Sequence, residues 1–359
     1  MSLKSERGVI HAEIHVIDEA TKGEYVMSEK KVVNNVVETV YDIFENDWSK
    51  QVILYGPPGT SKTYSAVIIA ASFLAKKNGE NKIKIDELKI SHKKSEKYLE
   101  EHKEQYKLIQ FHPSYSYEDF VRGIVVKPGE NNENLTYTVE SKIFEKFCEE
   151  KTEESKTTKV LIIDEINRAP LASVLGELIY GLEYRGKEIY TSYTLTDDKP
   201  LKVPENLYII GTMNTADRSI GTIDYAVRRR FAFVQVPPLT GCIKDTWKII
   251  GEKVETLYNE LIDPKKGIFA SKYWEDIDLE VEDIKIGHTY FLGKPEEKEE
   301  KEYLQYRIQY QVMPIYKEYI KDGMINKEGG RRFIEILEES KLFDEDFIEN
   351  LKCEMGIGV

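Results

Sequence analysis

The sequence predicts an α/β fold: a five-stranded parallel sheet flanked by helices, with two β-hairpin insertions and a helical C-terminal region. Three observations carry this expectation. Five short apolar runs alternate with segments of helical periodicity. Runs such as Val160-Leu161-Ile162-Ile163 and Leu207-Tyr208-Ile209-Ile210 have no polar alternation, as befits strands buried on both faces. The polar residues with chemical potential fall just beyond the carboxyl ends of the runs, where open α/β sheets hold ligands.

Taken in order, Val9 to Ile17 alternates as a strand does, with His11 and His15 on one face and no third metal ligand near them. Glu29 to Phe44 carries Val32, Val33, Val36, Val37, Val40 and Phe44 at helical spacing, a face suited to pack on the first core strand. That strand is Gln51-Val52-Ile53-Leu54-Tyr55, and the helix after it covers Ser65 to Lys76. A Lys/Glu-rich stretch from about Asn78 to Gln105 reads as a solvated helix or surface loop. Tyr106 to Phe111 is the second strand. The turn cluster from Pro128 to Asn134 sits between β-like runs and predicts a hairpin insertion. A helix over Glu140 to Glu150 precedes the third strand at Val160 to Ile163. Pro170 to Tyr184 reads as one amphipathic helix and Gly186 to Pro204 as a second hairpin insertion. Leu207 to Thr212 is the fourth strand, Ile220 to Arg230 a short helix and Phe231 to Val236 the fifth strand. Residues 239–359 read mostly as helix, with Pro295 to Glu302 as an exposed charged loop. The domain expectation is an N-terminal extension at 1–28, a nucleotide-binding α/β domain at 29–238 and a helical lid at 239–359.

The densest chemical signal is Gly56-Pro57-Pro58-Gly59-Thr60-Ser61-Lys62-Thr63, between a buried strand and a helix. Strand, glycine-bearing loop, then Lys-Thr opening a helix is the layout of a phosphate-binding P-loop. Loop amides curl around an anion, the helix N-terminus adds its positive end, and Lys62 brings a full charge to the outer phosphates. Thr63 supplies a hydroxyl for Mg²⁺, and Tyr64 is counted with the loop as nucleotide-binding. One position departs from the usual pattern, which has glycine before the lysine where this chain has Ser61. Glycine is favoured where φ is positive or phosphate comes very close; serine fits if its dihedrals are ordinary, and its hydroxyl can donate to phosphate. Asp164 ends an apolar run and can hold Mg²⁺, while Glu165 can polarise an attacking water. Asn214, past the fourth strand, reaches the same water or the outermost phosphate. Arg228, Arg229 and Arg230 form a cationic triplet suited to charge developing on a transferred phosphoryl group, or to a helix C-terminus. Tyr115, Tyr117, Glu118 and Asp119 follow the second strand and either line a pore or partner surface or pack in the core.

Composition sets outer bounds. The chain has 359 residues, 41% hydrophobic and 32% charged, with a net charge of −13, which argues against coating nucleic acid by bulk electrostatics. Three scattered cysteines, Cys148, Cys242 and Cys353, without metal spacing suggest free thiols in a reducing, cytoplasmic setting. No apolar run reaches the roughly 18 residues of a membrane span, so no membrane partner is expected.

Together these residues resemble the AAA+ class of P-loop NTPases. Asp164-Glu165-Ile166-Asn167-Arg168-Ala169 and the two insertions are similar to the branch holding MoxR-like and dynein-like ATPases. Met213-Asn214-Thr215-Ala216-Asp217-Arg218-Ser219, Ser114 to Phe120 and Ile286-Gly287-His288-Thr289-Tyr290-Phe291 resemble the McrB type, over roughly residues 30–355. The resemblance implies GTP hydrolysis, a hexameric ring and stimulation of an McrC-like nuclease that cleaves DNA bearing methylated cytosine. It implies that Lys62 and Thr63 bind phosphates and Mg²⁺, with Gly56, Pro57, Pro58, Gly59, Thr60 and Ser61 counted beside them as nucleotide-binding, and that Asp164 and Glu165 are the Walker B pair. It further implies that Asn214, Thr215 and Asp217 surround the water and the neighbouring subunit, and that one of Arg228 to Arg230 acts in trans. His288 falls where the lid nears nucleotide. About 50 residues precede the loop, little for a separate DNA reader, so DNA is expected to be met through a partner or another domain. The competing expectations are a MoxR-like ATP-driven protein remodeller and a nucleotide-dependent assembly module that hydrolyses little.

Overall fold

The computed structural model describes residues 25–128, 135–149, 157–195, 199–217, 223–269, 280–293 and 299–356, with side chains from residue 35 onward. The strand expected at Val9 to Ile17, with His11 and His15, lies outside the described residues. The chain forms two compact units, one of residues 36–55 and 63–235, the other including 56–62 and 236–356.

The first unit is built on a five-stranded sheet whose strands are, in spatial order, Tyr106–Gln110, Lys159–Asp164, Leu207–Asn214, Gln51–Gly56 and Ala232–Gln235. Helix α1 (Tyr25–Glu45) leads to β1 (Gln51–Gly56), and α2 (Lys62–Lys77) follows the loop after that strand. Helices α3 (Lys82–Lys89) and α4 (His92–Glu101) fill the charged stretch, capped by the side chains of Asn81 and Ser91. Next come β2 (Tyr106–Gln110), α5 (Tyr117–Phe120), the antiparallel pair β3 (Arg122–Pro128) and β4 (Leu135–Ser141), and α6 (Ile143–Glu149). The remaining elements are β5 (Lys159–Asp164), α7 (Leu171–Leu175), α8 (Leu178–Glu183), β6 (Leu207–Asn214), α9 (Tyr225–Arg228) and β7 (Ala232–Gln235). The pairs β2–β5, β5–β6 and β1–β7 are parallel. Every residue of β5 is buried, and its interior, Val160 to Ile163, is a continuous apolar run. Helix α2 is buried nearly all round from Ala66 to Ala75, and its Phe73, with Phe44 of α1, packs at a steep angle against the Tyr208 ring of β6.

Three expectations are corrected here. The helix read from Glu140 starts at Ile143, because Glu140 and Ser141 pair with β3. The helix read over Pro170 to Tyr184 is two helices, broken at Gly176. Gly176 has φ +50°, and a Cβ there would lie 2.8 Å from the Tyr117 ring, so the aromatic packs where a helix would carry a side chain. The second insertion pairs in the antiparallel sense expected of a hairpin, through the bridge between Ile189 and Leu201 and the bond from Gly186 N–H to Val203 O. The short helix read from Ile220 spans only Tyr225–Arg228 among the described residues, capped by Asp224.

A buried ion pair anchors both insertions. Arg122 at the start of β3 and Glu145 of α6 are 1% and 3% exposed and bond bidentately, with Nε to Oε2 at 2.7 Å. The same guanidinium donates to the carbonyls of Tyr193 and Lys199 in the second insertion, at 3.2 and 2.9 Å. Glu145→Ala leaves that cation buried without its partner, and the expected loss is about 3–5 kcal/mol. Urea unfolding with and without the substitution measures it.

The second unit contains the loop at 56–62 and the helices α10 (Gly251–Ile262), α11 (Glu300–Arg307), α12 (Met313–Lys321), α13 (Lys327–Glu339) and α14 (Glu345–Glu354). Its core is aromatic: Tyr258 packs on Phe291 and Tyr316 stacks on Phe333 at 4.1 Å. A π-helical turn, Ile308–Val312, joins α11 to α12, where Pro314 has no N–H to offer the preceding turn. The exposed loop expected at Pro295 to Glu302 is corrected at its end. Glu300 is buried, opens α11, and its carboxylate accepts the N–H groups of Lys248, Ile249 and Ile250. These are amides at the start of α10, so the charge serves as a cap.

Candidate functional site

The loop between β1 and α2 is shaped by its own polar groups. Thr60 Oγ1 donates to Pro57 O at 3.0 Å, and the Lys62 ammonium donates to Gly56 O and Pro57 O at 3.0 and 2.7 Å. Lys62, 7% exposed, is thus held within the loop by carbonyls that a phosphate oxygen can replace. Ser61 takes φ +65°, so the condition of ordinary dihedrals is not met, and glycine is the residue this backbone favours.

Within the same unit, the segment at residues 287–290 lies directly against this loop. The N–H of Gly287 donates to Pro58 O at 2.9 Å. The N–H and hydroxyl of Thr289 both reach Gly59 O, at 3.2 and 3.0 Å. His288 Nε2 lies 3.2 Å from Ser61 Oγ, and its Nδ1 accepts the Leu239 N–H at 3.3 Å. Burial pushes the His288 pKa down to about 3, so the ring is neutral. Arg307 of α11 braces the segment from behind through the carbonyls of Thr289 and Tyr290. A Cβ on Gly287 would stand 1.9 Å from the Gly59 carbonyl. Gly287→Ala is therefore expected to push the segment off the loop, with about 1–3 kcal/mol lost and nucleotide affinity lowered. Denaturant unfolding and a nucleotide titration on the same preparation check both halves.

In the sheet-bearing unit a second cluster forms at the carboxyl ends of β5 and β6. Thr63, the residue after Lys62, donates from Oγ1 to Asp164 Oδ1 at 2.7 Å, and Thr212 Oγ1 donates to the same oxygen at 2.6 Å. Thr212 Oγ1 also accepts the Glu165 N–H at 3.1 Å. Glu165 itself has φ +52°, a left-handed turn directly after the strand. Its Oε1 accepts from Asn214 Nδ2 at 2.6 Å, and its Oε2 lies 3.3 Å from Arg168 Nε. Arg168 reaches on to Asp217 Oδ2 at 3.5 Å, and Asn167 Nδ2 donates to Asn214 O at 3.2 Å. The carboxylate is therefore fixed from both sides. Thr212 and Asn214 stand two apart on a strand and so share a face, the signal by which Thr212 could have been found. Thr215 follows the end of β6, while Arg218 and Ser219 of the same motif lie outside the described residues.

The arginine triplet divides. Arg230, 10% exposed, is pinned by Glu183 Oε2 and Ala226 O, both at 2.5 Å. The Arg228 guanidinium lies over the Phe233 ring. Arg229, 65% exposed, meets Glu183 at 3.4 Å. Tyr64 turns into the helical layer, stacked on His92 at 4.5 Å. Of the tyrosines after β2, Tyr115 is buried against Phe111, Tyr117 stacks on Tyr193, and burial pushes both hydroxyl pKa values up. Both rings pack against the core of this unit. Asp119 closes a capping box with Ser116, and Glu118 accepts from Tyr193.

The donor set suits a hard cation. No group of three or more His, Cys, Asp and Glu side chains able to hold a metal occurs among the described residues. Thr63 and Asp164 supply one hydroxyl and one carboxylate 2.7 Å apart, which fits Mg²⁺ bound together with phosphates and water.

Comparison with known proteins agrees with this geometry. Residues 51–231 match the family model for the AAA domain of the dynein-related subfamily. The chain belongs to that family. Within it the resemblance is to McrB: 279 residues are 30% identical to the type IV methyl-directed restriction enzyme EcoKMcrB subunit of Escherichia coli, covering 76% of this chain and 54% of that one. A further 109 residues are 33% identical to the YdiS component of the type II restriction enzyme BsuMI of Bacillus subtilis, covering 26% of this chain and 31% of that one. The chain thus spans about half, or less, of the length of these relatives. A crystal structure of a putative ATPase from Cytophaga hutchinsonii aligns over 95% of this chain and 92% of its own, at 12% identity and a TM-score of 0.31. The AAA chain is therefore a P-loop NTPase type of α/β protein, similar to restriction-system subunits. No helix among the described residues is long and apolar enough to cross a membrane.

Proposed function

We propose that this chain is a nucleoside triphosphatase, with GTP preferred over ATP, that assembles into a ring and drives an McrC-like endonuclease in the restriction of modified DNA. The observation that carries the catalytic part is the fixed carboxylate: Glu165 is held by Asn214 on one oxygen and stands beside Arg168 on the other, one residue after Asp164. A carboxylate so oriented accepts a proton from an attacking water rather than swinging away. Lys62 exchanges its two loop carbonyls for phosphate oxygens, and the loop amides and the start of α2 bind the remaining charge. Mg²⁺, when bound at Thr63 and Asp164, neutralises phosphate charge. Charge growing on the transferred group is met by an arginine from the neighbouring subunit. A ring, hexameric by resemblance, and a nuclease partner are supported by the likeness to EcoKMcrB and YdiS, both named as parts of restriction enzymes. The net charge of −13 supports DNA being met through the complex or another domain.

The test is turnover of GTP and of ATP by the purified chain, alone and with an McrC-like partner, with and without Mg²⁺. Mg²⁺-dependent GTP turnover exceeding that of ATP is expected. Absence of hydrolysis of either nucleotide in the presence of the partner would remove the catalytic reading. ATP turnover alone, with no effect of the nuclease subunit, would favour the MoxR-like remodeller.

A further inference from the structure

The phosphate loop contains a side chain where its pattern has none, and that side chain has a dedicated partner. Ser61 occupies a left-handed conformation at φ +65°, a strained region for any residue but glycine. Glycine would remove the strain, so the loop's shape does not call for serine. His288 is fully buried, and both of its ring nitrogens are engaged: Nδ1 with the Leu239 N–H and Nε2 with Ser61 Oγ. Because Nδ1 accepts, the ring proton is on Nε2, and the ring, kept neutral by burial, donates to Ser61 Oγ. The serine oxygen is thereby used as an acceptor, and its own proton must point elsewhere. Gly287 and Thr289 pin the segment carrying His288 to Pro58 and Gly59, so the donor is fixed relative to the loop.

We propose that the Ser61 hydroxyl is an additional phosphate-binding donor, and that His288 is the positioning residue that aims it by occupying its lone pair. This rests on the loop's binding a nucleoside triphosphate, as proposed above. It adds a donor that a glycine-bearing loop lacks, and it gives the segment at 287–290 a role in nucleotide affinity.

The experiment is a fluorescence titration of the full chain with mant-GTP and mant-ATP in Mg²⁺, with thermal unfolding measured in parallel. Loss of one hydrogen bond to a charged phosphate is expected to weaken binding about tenfold in both Ser61→Ala and Ser61→Gly. Ser61→Gly should keep or raise the unfolding temperature, which separates the lost donor from a damaged fold. His288→Asn can still accept the Leu239 N–H but is too short to reach Ser61, and it should weaken binding comparably. Combined with Ser61→Ala it should add little, because both changes remove the same interaction. A merely structural His288 would instead give additive losses and a lowered unfolding temperature, and would overturn the positioning role. Wild-type affinity in Ser61→Ala and Ser61→Gly, with binding lost in Lys62→Ala, would overturn this inference alone. Unchanged affinity in Lys62→Ala as well would overturn the phosphate-loop reading on which it rests.

Discussion

Glu165→Gln is expected to bind nucleotide as the parent chain does and to lose turnover by on the order of a thousandfold. The substitution keeps the side-chain length and an oxygen able to accept from Asn214 Nδ2, now 2.6 Å from Glu165 Oε1. It removes the negative charge that orients a water and accepts its proton. It also weakens the attraction of Arg168, whose Nε is 3.3 Å from Glu165 Oε2, although that arginine retains Asp217 within 3.5 Å. The phosphate loop and the Asp164 carboxylate are untouched, so affinity should move by less than a factor of a few. Single-turnover hydrolysis and equilibrium nucleotide titration on the same protein separate the two quantities. Normal turnover would take Glu165 out of the chemistry. A matched fall in affinity would mean that the carboxylate organises the site rather than the water. Asn214→Ala belongs with this test. With its amide gone, Glu165 loses the bond on Oε1, and turnover should fall by a smaller factor while Mg²⁺-dependent binding persists.

The parts of this protein that could be read from its residues are those where one local force decides the outcome. A strand buried on both faces must be apolar throughout, so β5 and β6 stand out as runs that no surface helix would tolerate. The residues after those strands are polar because the sheet's rim is where backbone and solvent meet, and Asp164, Glu165 and Asn214 were legible for that reason. Where two distant segments decide together, the residues are silent. Gly176 looks like a tolerable helix interior until Tyr117 is seen filling the space above it. Glu300 looks like one more charge in an exposed run, but three amides over 40 residues away take it into the core. Ser61 looks like a small deviation in a motif, and only its φ and the buried ring of His288 show that a second segment is shaped around it. Thr212 was hidden differently: a single hydroxyl in an apolar strand has the composition of a neutral core residue, and its two bonds at the strand end give it meaning.

The arginine triplet yields the second large effect, because burial ranks three residues that sequence cannot. Arg230 is committed within its own chain: its side chain is 10% exposed, and Glu183 and the Ala226 carbonyl hold its two terminal nitrogens. Arg230→Ala is therefore expected to cost stability, about 1–3 kcal/mol for hydrogen bonds to a charged group that is mostly buried. Arg228 has its guanidinium over Phe233. Arg229 is 65% exposed and touches Glu183 only at 3.4 Å, so reaching outward forfeits little. Arg229→Ala is expected to leave unfolding unchanged and to lower turnover on the order of a thousandfold, the scale of an arginine supplied in trans to phosphoryl transfer. The distinctive measurement is mixing. In the proposed ring, assembled from Arg229→Ala and Glu165→Gln chains, some interfaces would place an intact Glu165 of one subunit against an intact Arg229 of the next. Those interfaces are complete, and activity should return in the mixture although neither variant is active alone. An arginine acting on its own subunit's nucleotide makes no such interface, so silence on mixing, with assembly intact, would assign the residue in cis. Recovery with Arg228→Ala in place of Arg229→Ala would move the role one residue along the chain. The physical reason for the preference would then be wrong: the aromatic ring beneath Arg228 would be a platform that presents the cation, rather than a contact that retains it.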